Sequence, residues 1–287
     1  MKNILKISTA TVLAMTVVLS IIRSACMLTS YDTSVRYFER GFLPTLHTAL
    51  YFIGAIGCLA TLLFLRSRPI FCYRELSKVG TAISLITATT FMICGILLAM
   101  YGTRNSMKLE IYAGLLAMIS ALFFFFSALS YHRAWKKAAA VACPWLCIPT
   151  MATLILLLAS TYFDMTTTIN GPFTPLFLFS ALCGCIFFLC EMRGAIGRPA
   201  HRLHFVAALT TALLAVSSSI GNLTFCFFVS SGAERAASDP LRHLILLSVG
   251  LYAVVRLFHF SSEFPVKNDE DTPSQTEFNE NNQQIEK

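Results

Sequence analysis

Charge is what this sequence has least of. Asp, Glu, Lys and Arg make up 13% of its 287 residues, about half the share found in a soluble domain, and no region is long enough to form a separate aqueous domain. Catalytic signatures are missing as well. There is no glycine-rich phosphate loop, no HExxH, no GxSxG and no nucleophile with an identifiable base and orienting acid. A phosphatase or lipid transferase would want a denser set of carboxylates or histidines at one membrane face, and an intramembrane protease would want paired acids or a GxSG-like serine. A membrane enzyme therefore has the least support, and no cofactor is expected. The ten cysteines imply no disulfide framework, because Cys58, Cys94, Cys143, Cys147, Cys183, Cys185, Cys190 and Cys226 all fall in apolar runs, where they serve as small packing residues. Cys143 and Cys147 share a helical face, but no histidine or carboxylate completes a four-ligand set, so no metal site is expected.

What the chain has in abundance is hydrophobic length. Its hydrophobic fraction is 56% and its mean hydropathy +0.67, which places it in lipid. A spanning helix needs roughly 20 apolar residues. Between Phe173 and Asn222 two such runs flank the basic segment EMRGAIGRPAHR, a transmembrane hairpin, and Leu50 to Gly102 repeats the plan. The expected fold is all-α and polytopic, with eight helices at about 5–28, 45–65, 79–101, 110–131, 138–162, 173–192, 203–228 and 241–261. Alternate connections carry 12 and 6 Lys or Arg residues, with Lys2 and Lys6 on the richer side. By the positive-inside rule both termini face the cytoplasm. That spread of basic residues accounts for the net charge of +7 better than a nucleic-acid partner does. Residues 263–287, NDEDTPSQTEFNENNQQIEK at their core, are acidic and nearly devoid of apolar side chains, which predicts a disordered cytoplasmic tail.

Ionisable groups inside lipid cost roughly 2.5–3.5 kcal/mol on insertion scales, so each needs a reason. Arg23, in the first helix, faces the side where Asp32 and Asp164 emerge. Its plain reading is snorkelling to headgroups, and its functional reading is a pair with Asp32 or Asp164 that shapes a ligand-facing site with Asn170. In the eighth helix Tyr252, Arg256 and His259 share a face, with Glu191 at comparable depth, and these groups are expected to form an inner charge clamp. Thr81, Ser84 and Thr87 in the third helix, and Thr211, Ser218 and Asn222 in the seventh, form polar stripes. They suit close helix packing, or else they line a solute path with Asn222 as its most polar point. His201 and His204 are expected at the membrane surface among lipid headgroups.

An internal echo also runs through the chain. Gly57 with Cys58 and Gly184 with Cys185 stand 127 residues apart, as do His132 and His259. Two parallel four-helix halves, helices one to four and five to eight, would produce this spacing.

The phrases RSACMLTSYDTSVRYF, INGPFTPLFLFSALCGCIFFLCEMRGAIGRP and VSSSI resemble a group of uncharacterised multi-pass membrane proteins of low-GC gram-positive bacteria. Arg23, Asp32, Glu191 and Arg193 match that pattern, whereas the Thr-Gly expected after the aspartate is replaced by Thr33-Ser34. The resemblance implies eight helices and a bacterial plasma membrane, and it implies no activity. Two functions follow for testing. One is the binding or movement of a small solute. The other is an interaction or regulatory subunit, whose partners, besides membrane lipids, would be a membrane protein held through the Ser/Thr stripes or the acidic tail.

Overall fold

The computed structural model describes residues 2–32, 37–64, 70–71, 78–129, 136–163, 174–228 and 239–261. Eight helices account for most of them: α1 Lys2–Thr29, α2 Phe42–Phe64, α3 Lys78–Arg104, α4 Lys108–Leu129, α5 Lys136–Tyr162, α6 Thr174–Ala195, α7 His201–Phe228 and α8 Asp239–Leu257. All eight are long and apolar enough to cross a bilayer. In hydrocarbon a helix satisfies its backbone N–H and C=O groups within the segment. The distribution of side chains agrees with that solvent: Ile21, Phe52, Ile56, Ile86 and Ile93 point outward, while Arg23, Ser84, Thr150, Ser180 and Glu191 are buried. The chain is an all-α, multi-pass membrane protein.

Two short antiparallel ribbons mark the ends of the bundle. Tyr31–Asp32 (β1) pairs with Tyr37–Phe38 (β2), and Ile70–Phe71 (β3) pairs with Phe260–Ser261 (β4). The second ribbon corrects the last helix expected from sequence. Instead of running to 261, α8 stops at Leu257, because the chain leaves the helix so that Phe260 can pair with Phe71.

α7 is the axis of the fold. Every residue from His204 to Ser219 is buried, with α1 and α2 against one side and α6 and α8 against the other. On the α6–α8 side the contacts continue round a ring, α8 to α3, α3 to α4, α4 to α5 and α5 to α6. Aromatic side chains fill the ring. Phe124 lies 4.8 Å from Phe91, 5.1 Å from Tyr252 and 5.9 Å from Phe188, centroid to centroid. Among the described residues no substantial seam joins α3 to α7, and α8 packs against both. Nor do the two halves pack alike: α6 lies along α7, and among the described residues no comparable seam joins α2 to α3.

The α3–α4 seam is the tightest in the bundle, and glycine is the reason. A Cβ on Gly114 would stand 2.5 Å from the Gly95 carbonyl oxygen and 2.6 Å from the Ala99 nitrogen, and one on Gly95 would stand 2.8 Å from the Gly114 oxygen. Backbone cannot give way as a side-chain tip can. Gly114→Val should therefore destabilise the protein by about 3 kcal/mol through overpacking. Gly57→Ala, where an added Cβ meets nothing within 4 Å, should stay within about 0.5 kcal/mol of the parent. Thermal unfolding of the two variants in detergent checks the contrast.

Candidate functional site

At the β1–β2 end, four helices deliver polar side chains to one buried point. Arg23 comes from α1, six residues before its end and so about 9 Å along the axis. It is completely buried. Its Nε and NH2 donate to Asn222 Oδ1 of α7 at 3.2 and 2.7 Å, and its NH1 lies 3.3 Å from His47 Nε2 of α2. A guanidinium carries only donors, so His47 Nε2 must accept. Asn222 Oδ1 is likewise committed to accepting, which turns the amide nitrogen toward His243 Nε2 of α8 at 3.1 Å, where the ring in turn accepts. Below them Tyr51 of α2 donates to Ser217 Oγ of α7 at 2.7 Å.

Local sequence makes this convergence possible. Gly221 lies against the stem of Arg23, and a Cβ there would collide with Arg23 Cγ and would lie 2.7 Å from its Cδ, so a larger residue at this position would expel the arginine. Rings enclose the cluster. Phe38 of β2 and Tyr51 stand 5.9 and 4.8 Å from His47, Phe177 of α6 stands 5.3 Å from His243, and Tyr31 of β1 packs on Phe225 at 4.8 Å.

Of the ligand-facing residues expected from sequence, the structure brings Arg23 and Asn222 together. Asp32 sits in β1, partly buried, opposite Tyr37. Asp164 and Asn170 lie outside the described residues. His47 and His243 were missed by sequence reading. The usable signal was depth: each is an ionisable residue near a helix start on the side where Arg23 ends.

A second pair at the same end was also missed. Glu110 of α4 and Arg242 of α8 form an ion pair, both essentially buried, and Arg242 NH1 lies 3.4 Å from Thr161 Oγ1 of α5. Sequence reading places Glu110 and Arg242 at the starts of the fourth and eighth helices but does not pair them. Arg242 lies in the first turn of α8, where the helix dipole opposes a cation and an anionic partner compensates.

At the β3–β4 end lies the third cluster. Glu191 Oε1 of α6 stands 3.1 Å from Arg256 Nε of α8 and 3.3 Å from His204 Nε2 of α7. Arg256 Nε donates to Tyr252 OH at 2.9 Å, and that hydroxyl lies 3.1 Å from Ser127 Oγ of α4. His259 Nδ1 sits 3.1 Å from its own Val255 carbonyl oxygen. The structure thus brings Glu191 and Arg256 together and adds His204. That corrects the expectation of a headgroup-facing His204: it is buried, with Phe187 and Phe260 rings 5.6 and 5.1 Å away.

The Ser/Thr stripes pack inside the bundle, as the first of their two expected readings has it: Ser84, Thr87, Thr211, Ser218 and Asn222 are buried, Thr81 is partly buried, and Ser218 meets Ser180 of α6 at 3.2 Å. Among the described residues no group of three metal-ligating side chains is assembled. No protein-family model, no curated protein and no solved structure matches this chain.

Proposed function

We propose that this protein binds, and moves across its membrane, a small solute carrying a carboxylate or phosphate group, with the Arg23, His47, Asn222 and His243 cluster as the recognition site. One observation carries the reading. A fully buried guanidinium meets His47 of α2 and Asn222 of α7, and Asn222 in turn meets His243 of α8, and intramembrane ionisable groups are rare outside functional pathways. Guanidinium and amide N–H groups in low-dielectric surroundings are donors suited to carboxylate and phosphate oxygens. The resemblance to gram-positive membrane proteins and the bias of basic residues support a bacterial plasma membrane with both termini in the cytoplasm. A partner-binding role keeps the acidic segment 263–287 as its feature, now that the Ser/Thr stripes are accounted for inside the bundle.

The test is a stability screen of the purified protein against carboxylates, amino acids and inorganic phosphate. A ligand at about 100 times its dissociation constant stabilises the folded state by about 2.7 kcal/mol, visible as a raised melting temperature. The shift should appear with the parent and vanish in His47→Phe, which keeps the ring contacts but removes the acceptor. No shift with any of these compounds, or one that persists unchanged in His47→Phe, would reject the site.

A further inference from the structure

The cluster at the β3–β4 end holds a carboxylate that, among the described residues, accepts no hydrogen bond. Glu191 Oε1 lies within ion-pair distance of Arg256 and His204, but Oε1 and Oε2 are both buried and neither meets a hydrogen-bond donor. A clamp whose task is to hold helices would engage both oxygens of the carboxylate. A buried acceptor left open costs free energy, and the carboxylate can remove that cost by taking a proton.

The surroundings suit such an exchange. From α7 the carboxylate is faced by His204, from α8 by Arg256 and His259, and from α5 by the thiols of Cys143 and Cys147. His204 lies in the first turn of α7 and Glu191 in the last two turns of α6, one turn below the exposed connection at Ile196, Gly197 and Arg198. Water is therefore close. When Glu191 is neutral, Arg256 keeps two other stabilising contacts, the Tyr252 hydroxyl and the C-terminal turn of α8, whose dipole favours a cation.

Along α7 the same face continues. His204, Thr211, Ser218 and Asn222 fall at i, i+7, i+14 and i+18, which returns to the same side after five turns and covers about 27 Å. All four are buried, and the Thr211 hydroxyl has no hydrogen-bond partner among the described residues. The stripe joins the carboxylate cluster at one end of the bundle to the arginine cluster at the other.

We propose that Glu191 and His204 form a proton-exchange site inside the membrane-spanning bundle. In the loading step a hydronium at the α6–α7 connection gives up one proton. Its O–H bond breaks, the Oε2–H bond of Glu191 forms, and the carboxylate passes from charge −1 to neutral with no oxidation or reduction. Unloading is the reverse. The inference is independent of the solute reading, since it concerns other residues at the other end of the bundle.

Infrared difference spectroscopy on the full-length protein in lipid, switched between alkaline and acidic buffer, tests it. Subtracting the Glu191→Gln response from the parent response should leave the carbonyl stretch of a protonated, buried carboxylic acid. Glu191→Asp, which keeps the group but moves it, should retain the band at a shifted frequency. His204→Phe should move the pH midpoint at which the band appears. A structural ion pair would keep its carboxylate ionised across the range. The proposal is overturned if the parent shows no such band, if the band survives Glu191→Gln, or if its midpoint is the same with and without the His204 ring.

Discussion

Glu110→Ala should destabilise the protein by about 3–5 kcal/mol, the usual consequence of removing one member of a buried ion pair. For a chain of this size that corresponds to a melting temperature lower by on the order of 10 °C. Truncation leaves the Arg242 guanidinium buried at the positive end of α8, where nothing in the helix backbone favours it. The double variant Glu110→Leu with Arg242→Leu should recover most of the loss, since replacing a whole buried pair by apolar side chains is often neutral or better. Thermal unfolding of the two single variants and the double variant gives the coupling directly. If the double loss equals the sum of the singles, the ion pair does not couple α4 to α8.

A comparable loss is expected at the arginine cluster, where the order of effects is informative. Asn222→Leu preserves volume but withdraws the oxygen that accepts from Arg23 Nε and NH2, and hydrogen bonds to charged groups contribute about 1.5–3 kcal/mol each. A loss of about 3–5 kcal/mol follows. Arg23→Met removes the charge itself and leaves the neutral acceptors Asn222 Oδ1 and His47 Nε2 unsatisfied, so it should cost less, about 2 kcal/mol. In the double variant the two losses should fall well short of adding. Gly221→Val, which displaces the Arg23 stem, should behave as Asn222→Leu does. An Asn222→Leu loss below about 1 kcal/mol would mean that the amide does not hold the arginine. The same set of variants read by chemical denaturation provides an independent check.

Helix number and class were legible in the sequence because lipid imposes both length and composition on a spanning segment. Phe42–Phe64 and Thr174–Ala195, for instance, lie close to the apolar runs. Which helices touch was not legible. Nothing in the residue types of α3 and α7 shows that α8 packs against both, because Ser and Thr stripes look alike whether they face a pore, a partner or a neighbouring helix. Arg23 could be read as needing a partner, but that Asn222 is one turns on where α7 crosses α1, which is long-range geometry. Glu191 and Arg256 were easier, because each sits near a helix end on the same side of the membrane and their depths can be counted residue by residue. Arg242 was missed because a cation in the first turn of a helix looks solvated until it is known that Glu110 of α4 lies against it.

The position of α7 also has a meaning for how the molecule is made. α1 and α2 meet the rest of the described bundle mainly through α7, yet 171 residues separate the end of α1 from the start of α7 along the chain. During synthesis, then, the first hairpin enters the bilayer with its docking surface not yet translated, while α3 to α6 can already begin to pair among themselves. The two groups wait side by side as separate pieces. Insertion of α7 joins them, and Arg23 reaches its partner amide only at that moment, so completion of the arginine cluster records that the whole chain has arrived.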